Sequence, residues 1–339
     1  MNTVRHFRKK LTLKDIAKIL SVTPATVSKA LRDSDDISTE MKKKVKKITE
    51  KLGYRPNLLA RSLINNRSKI LGCLIPDLRI SFFSEAVRGM YEEASRKGYE
   101  IILMVHDESK EKERRKLEFL SDLHTDGILL NAAGGKANYP LYQKLAEEGI
   151  KFVCWDRKLD GLGFKSIAID DKKAAYDLTT KIINQGRSNI LFLGPHVGIA
   201  VAKDRFEGYK LALKEHGIPF NPALVVETFR NFSDSYQKMS SFLDKKNNIN
   251  GVVSVGGLIT YGAGKAILDH MYSIPDDIMI GEFGDNDVVA RLKVRFYTVN
   301  QNPYKLGKAS VDLLIKMIET DKSENYFHDI IIESEILER

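Results

Sequence analysis

Residues 12–31 read TLKDIAKILSVTPATVSKAL. Two short helices joined by a tight turn are written into that stretch. Ile16, Ala17 and Leu20 recur on one helical face. Ser21 and Val22 form the turn. Thr23 suits an N-cap, and Pro24 suits the first helical position, where its missing N–H costs nothing. Val27 and Leu31 then point back to the same core. This is the helix-turn-helix plan, whose second helix fits the major groove of DNA.

Working outward, residues 38–52 (STEMKKKVKKITEKL) predict a third helix. Ser38 caps it, Glu40 suits its positive end, and Gly53 ends it. Val45, Ile48 and Leu52 are expected to cover the first two helices. Lys42, Lys43, Lys44, Lys46 and Lys47 are open to two readings, phosphate contacts or a solvated face. Charge supports a polyanion-binding end. Residues 1–69 hold 18 Lys/Arg against 6 Asp/Glu, whereas the remainder holds 36 against 39, so the whole +9 originates in the first fifth of the chain.

From Ile70 onward the pattern changes. Short apolar runs, among them ILGCLI (70–75), EIILMV (100–105), GILL (127–130), KFVCW (151–155), NILFLG (189–194), ALVVE (223–227), GVVSV (251–255), YTVN (297–300) and DIIIE (329–333), alternate with amphipathic helical stretches. Continuous β-branched runs mark strands buried on both faces of a parallel sheet. Alternation over some 270 residues predicts an α/β body of two doubly wound subdomains. Cys73 and Cys154 both fall in such runs, so buried free thiols are expected rather than a disulfide framework. There is no signal-peptide pattern and no apolar run near the ~20 residues of a membrane span, so a cytoplasmic location without membrane contact is expected.

The stretch LTLKDIAKILSVTPATVSKALRDSDDISTEMKKKVKKITEKLGYRPNLLARSL (11–63) closely resembles the DNA-binding domain of the LacI family. D-[IV]-A, T-V-S and G-Y-x-P-N occur in order, and the likeness continues more loosely over the rest of the chain. The resemblance implies an all-α helix-turn-helix domain (1–56), a hinge helix and linker (57–69) and a periplasmic-binding-protein-like, effector-binding body (70–339). Its first subdomain would span about 70–169 and 300–326, its second about 170–299 and 327–339, with crossings near 169–171, 299–302 and 326–329.

The family's roles carry over as follows. Pro24 and Ala25 would meet base edges, Ala25 favouring a thymine methyl, and Lys29 would donate to guanine. Thr26 and Ser28 are placed for phosphates. Asn57 would cap a two-turn hinge helix, marginal alone in water, that forms only when packed on DNA and its dimer mate. Arg61 would touch phosphate, and Leu63 would wedge into the minor groove and kink the duplex. In the body, Phe82 and Phe83 match an aromatic pair lining the cleft. Asp156 matches the D-R pair that ends a strand. Arg205 in RFEGY matches the arginine of R-[LF]-x-G-[FWY]. Asp285 in EFGDN would be its acidic partner. Each has a plainer reading: core for the phenylalanines, an ion pair or cap for Asp156, a structural helix arginine for Arg205. The family's polar A-N-D turn reads Gly256-Gly257-Leu258, and Ile199 and Val201 stand where purine-binding members carry polar contacts, which disfavours a purine and leaves a sugar, sugar acid or sugar phosphate.

The implied function is a transcriptional regulator, a repressor by the family's pattern, whose affinity for a palindromic operator a small-molecule effector controls. No leucine heptad follows DIIIESEIL, so a homodimer is expected. No cofactor or metal is expected. An architectural DNA-binding protein would leave the body idle. An enzyme lacks support from G-x-x-x-x-G-K-[ST], G-x-S-x-G or H-E-x-x-H, none of which occurs. Leu63→Ala is expected to cut operator binding severely and leave effector binding intact. Fluorescence anisotropy on operator DNA checks this, and equal affinity for mutant and wild type refutes the wedge.

Overall fold

The computed structural model describes residues 11–54, 67–196, 200–229, 231–284, 287–320 and 327–339. The chain divides into two compact units, Met1–Ser68 and Lys69–Arg339.

The first unit is all-α: α1 Leu13–Leu20, α2 Pro24–Leu31 and α3 Thr39–Lys51. Local chemistry sets each start. Thr12 and Asp15 form a reciprocal capping box on α1. The Thr23 hydroxyl accepts from Thr26 N at 3.1 Å, and Ser38 accepts from Met41 N at 3.3 Å. Ile16, Ala17, Val27, Ala30 and Val45 make the core, with Leu20, Leu31 and Ile48 packed around it. Leu52 departs from expectation, remaining 36% exposed one residue beyond the end of α3. The chain reverses at Gly53, whose φ of +63° suits glycine, and Tyr54 takes the covering role.

The second unit contains two six-stranded sheets. In the first, β1 Ile70–Ile75, β2 Glu100–Val105, β3 Gly127–Leu130, β4 Lys151–Trp155, β5 Lys165–Ala168 and β11 Ile330–Ile331 run in the order β11-β5-β4-β3-β1-β2, all parallel. The second repeats the plan. It consists of β6 Ile190–Leu193, β7 Val225–Val226, β8 Gly251–Ser254, β9 Met279–Phe283, β10 Tyr297–Asn300 and β12 Glu335–Glu338, in the order β12-β10-β9-β8-β6-β7. Only β12 is antiparallel. In both sheets the order reverses beside the first strand, which opens a crevice at the carboxyl ends. The strand expected over 223–227 shortens to Val225–Val226, because Pro222–Leu224 form a 3₁₀ turn.

The chain passes between the sheets after β5, at residues 169–170, and after β10, at 301–302. The last passage corrects the sequence assignment. Residues 327–339 do not belong to one subdomain. Ile330 and Ile331 pair with Ile167 and Ala168 on the free edge of β5, Ile332 N donates to Ala168 O at 2.8 Å, and only β12 joins β10. The crossing therefore lies at 332–334. DIIIE and the residues after it read as one segment in the sequence, whereas the polar Glu333-Ser334 between Ile332 and Glu335 marks the change of sheet.

Glycines let the covering helices touch backbone to backbone. Helix α4 (Ser81–Arg96) crosses α12 (Pro303–Glu319), where a Cβ on Gly89 would stand 2.2 Å from Tyr304 O and one on Gly307 would stand 1.9 Å from Ala86 O. Across the second sheet, α7 (Asp171–Ile183) meets α8 (Ala200–Glu215), and a Cβ on Gly208 would stand 2.2 Å from Lys172 O. Gly307→Ala must push α4 and α12 apart. Urea denaturation is expected to show a loss of about 1–3 kcal/mol, the usual cost of overpacking a core; an unchanged midpoint would mean the crossing can relax.

Candidate functional site

In the first unit, the opening of α2 presents Pro24, Ala25 and Lys29 to solvent, while Thr26 and Ser28 are half-buried and Val27 is core. The Thr26 hydroxyl hydrogen-bonds that of Thr23 at 2.9 Å. Lys29 is not free. Its ammonium pairs with Asp36, and the other oxygen of that carboxylate accepts from the Ser34 hydroxyl at 2.7 Å. These two partners, Lys29 first, hold Asp36 below the usual carboxylate range. The same acidic turn pairs Asp33 with Lys42 at 3.0 Å, and Lys44 pairs with Glu40 at 2.8 Å. Lys43, Lys46 and Lys47 are exposed. Asn57, Arg61 and Leu63 lie outside the described residues.

In the second unit a cleft opens at the carboxyl ends of both sheets, about 760 Å³ counting its open mouth. Phe82, Phe83, Asp156 and Arg205 all line it; Asp285 lies outside the described residues, although Phe283 and Gly284 before it are in the wall. Phe82 and Phe83 come from the first turn of α4 and meet edge-on at 5.2 Å. Trp155, at the end of β4, stacks on Phe82 at 6.5 Å and meets Phe83 edge-on at 5.9 Å. The result is an apolar aromatic wall. Asp156 follows Trp155 with φ +63°, its N–H donating to Ile167 O at 2.8 Å. Its carboxylate accepts from Asn131 Nδ2 at 3.0 Å.

Arg205 lies in the second turn of α8 and is 6% exposed. Its Nε donates to Asp171 Oδ1 at 2.7 Å, and its two terminal nitrogens donate to Val255 O and Gln301 Oε1, each at 3.0 Å. The guanidinium carbon sits 4.0 Å from the Phe283 ring centre, a cation–π contact. Burial pushes the Asp171 carboxyl up to about 7, against the opposing pull of Arg205.

Sequence reasoning missed Asp171, Gln301 and Phe283. The doublet Asp170-Asp171 reads as a helix start, and one of its members is one. Asp170 caps α7 by accepting from Lys173 N at 2.9 Å, which leaves Asp171 for Arg205. Arg157 also lines the cleft, but it is structural: it donates to both Glu108 oxygens at 2.8 and 2.6 Å and to Ala132 O at 2.7 Å. Arg79 stands at the mouth, paired with Asp77 at 2.7 Å. Val201 and Leu258 line the cleft as apolar positions; Ile199 lies outside the described residues. Among the described residues no group of three His, Cys, Asp or Glu is placed to hold a metal. No helix among them is long and apolar enough to cross a membrane. Cys73 and Cys154 are buried and free, and burial pushes the thiol of Cys154 up to about 12 and that of Cys73 beyond it.

Residues 12–57 match the model of the bacterial regulatory proteins of the lacI family, and residues 71–322 match that of a periplasmic binding protein domain. The HTH-type transcriptional regulator RegA of Clostridium saccharobutylicum is 32% identical over 330 residues, 97% of this chain and 98% of that protein. The ribose operon repressor of Halalkalibacterium halodurans is 31% identical over 321 residues, 94% of each. The lac repressor dimer bound to operator and the anti-inducer ONPF shares the fold with TM-score 0.85 at 20% identity, over 97% of this chain and 98% of that one. These relatives are regulators rather than enzymes. The chain belongs to the LacI family and is a DNA-binding transcriptional regulator built from a helix-turn-helix unit and a periplasmic-binding-protein-like body.

Proposed function

We propose that the cleft binds a small polyhydroxylated effector and that its occupancy sets the affinity of a homodimer for a palindromic operator. The observation that carries this reading is Arg205. It is buried at the cleft with three protein acceptors and, among the described residues, still has one N–H to spare on each terminal nitrogen. An aromatic wall opposite suits the apolar face of a sugar ring, and a few convergent polar groups in an apolar cleft are the usual make-up of a small-molecule site. The lac repressor structure of the same fold is a dimer on operator with an anti-inducer.

On the DNA side, Pro24, Ala25 and Lys29 read base edges, Thr26 and Ser28 hold phosphates, and the hinge acts through Asn57, Arg61 and Leu63. Lys29 must leave Asp36 before it reaches a guanine. Coupling runs through the hinge: an effector that changes the spacing of the two hinge segments changes whether they fold on DNA. Differential binding of about 1–3 kcal/mol gives a 5- to 150-fold response.

Arg205→Ala is expected to abolish the effector response while sparing operator affinity. Arg205→Lys, which keeps a charge beside Asp171 but cannot reach three acceptors, should weaken it in the same direction. Operator titrations with and without effector check both, and a full response in either variant refutes the assignment. Asp36→Asn releases Lys29. It is expected to raise affinity for random duplex DNA and to steepen the salt dependence by about one counterion; an unchanged slope would show that the pair does not compete with DNA.

A further inference from the structure

The two walls of the cleft differ in hydrogen-bonding character. On the wall of the second subdomain the described side chains hold unused donors. Among the described residues, Arg205 keeps one N–H on each terminal nitrogen. Gln301 is 4% exposed, and its single hydrogen bond uses the carbonyl oxygen, so its amide NH₂ is unpartnered among the described residues. Helix α10 (Gly257–Asp269) begins here with no side-chain cap, and Gly256, Gly257, Leu258 and Ile259 line the cleft. A Cβ at Gly256 would meet nothing within 4 Å, so there is open space beside the start of the helix. The Val255 carbonyl, which Arg205 holds at 3.0 Å, immediately precedes this helix start, so guanidinium, amide and helix N-terminus are neighbours. The two carbonyls beside the helix start are engaged. Val255 O takes Arg205, and Gly256 O takes the N–H and the hydroxyl of Thr260, each at 2.9 Å. Leu258 adds no polar group. On the facing wall the first subdomain offers an acceptor instead, the Asp156 carboxylate beside the aromatic rings.

We infer that the effector is a polyhydroxylated carboxylic acid, its carboxylate against Arg205, Gln301 and the start of α10, its hydroxyls toward Asp156. This rests on the cleft being the effector site. A carboxylate has two oxygens to match the two remaining guanidinium N–H groups, a charge-assisted fork. A helix N-terminus adds a favourable partial charge. A phosphate dianion fits worse. No lysine lines the cleft, and the other lining arginines, Arg79 and Arg157, are committed to Asp77 and Glu108. A neutral sugar leaves the donors on the second wall facing hydroxyls that are weaker acceptors.

The test uses the full chain and matched sets: glucose and galactose, their uronates and gluconate, and glucose 6-phosphate, each titrated by calorimetry. At least one acid is expected to bind roughly tenfold or more tightly than its neutral counterpart, the energy of one charge-assisted contact. Gln301→Glu keeps the bond to Arg205 but presents a negative charge, and is expected to weaken the acid at least tenfold. Neutral sugars that bind as well as their acids, with binding lost in Arg205→Ala, would overturn the acid and leave the cleft as effector site. Tighter binding of glucose 6-phosphate would overturn the carboxylate. Acid binding unaffected by both Arg205→Ala and Gln301→Glu would place the ligand elsewhere and remove the cleft reading itself. No binding in any arm would overturn the inference for six-carbon ligands.

Discussion

The guanidinium of Arg205 gathers the second subdomain around one point. It reaches Asp171 at the start of α7, the carbonyl that follows β8 and Gln301 just after β10, while lying over Phe283 at the end of β9. Five elements therefore agree on the position of one planar group. Such a buried pair is weak evidence for stability, because desolvating two charges offsets most of their attraction. Its worth is geometric. Removing one partner strands the others in a low-dielectric site, so the arrangement is held as a unit, and the polar part of the cleft inherits its precision.

The cleft exists because two sheets of the same topology face each other by their carboxyl ends. Each reverses strand order beside its first strand, and each places side chains from loops at that crevice. The first subdomain contributes rings and Asp156; the second contributes donors. The packed rings of Phe82, Phe83 and Trp155 belong to one wall and the guanidinium of Arg205 to the other. A ligand that used both walls would favour one disposition of the two subdomains over another.

Much of this was legible in the sequence because it is local. Thr23, Pro24 and Ser38 announce helix starts, and buried parallel strands announce themselves as unbroken apolar runs. Four of the five cleft positions singled out from motifs do line the cleft. What escaped is tertiary. Asp171 and Gln301 matter because of Arg205, at sequence distances no periodicity links. Lys29 reads as a base contact, yet its ion pair with Asp36 depends on how the turn after α2 folds back. Leu52 fits the helical period and is exposed because the helix has already ended. The split of residues 330–338 between two sheets follows from a free edge on β5, which is invisible until the sheet is assembled.

The glycine contacts between covering helices have a mechanical consequence. Backbones that touch through Gly89, Gly307 and Gly208 have no side-chain layer between them to shear, so each subdomain resists internal sliding. Any opening or closing of the cleft is then confined to the three strips of chain that join the sheets, at 169–170, 301–302 and 332–334. Two of these strips adjoin the polar site, since Asp171 follows the first and Gln301 lies in the second. The polar residues of the cleft are therefore attached to the pivots themselves, so a ligand held there would act directly on the rotation of one half against the other.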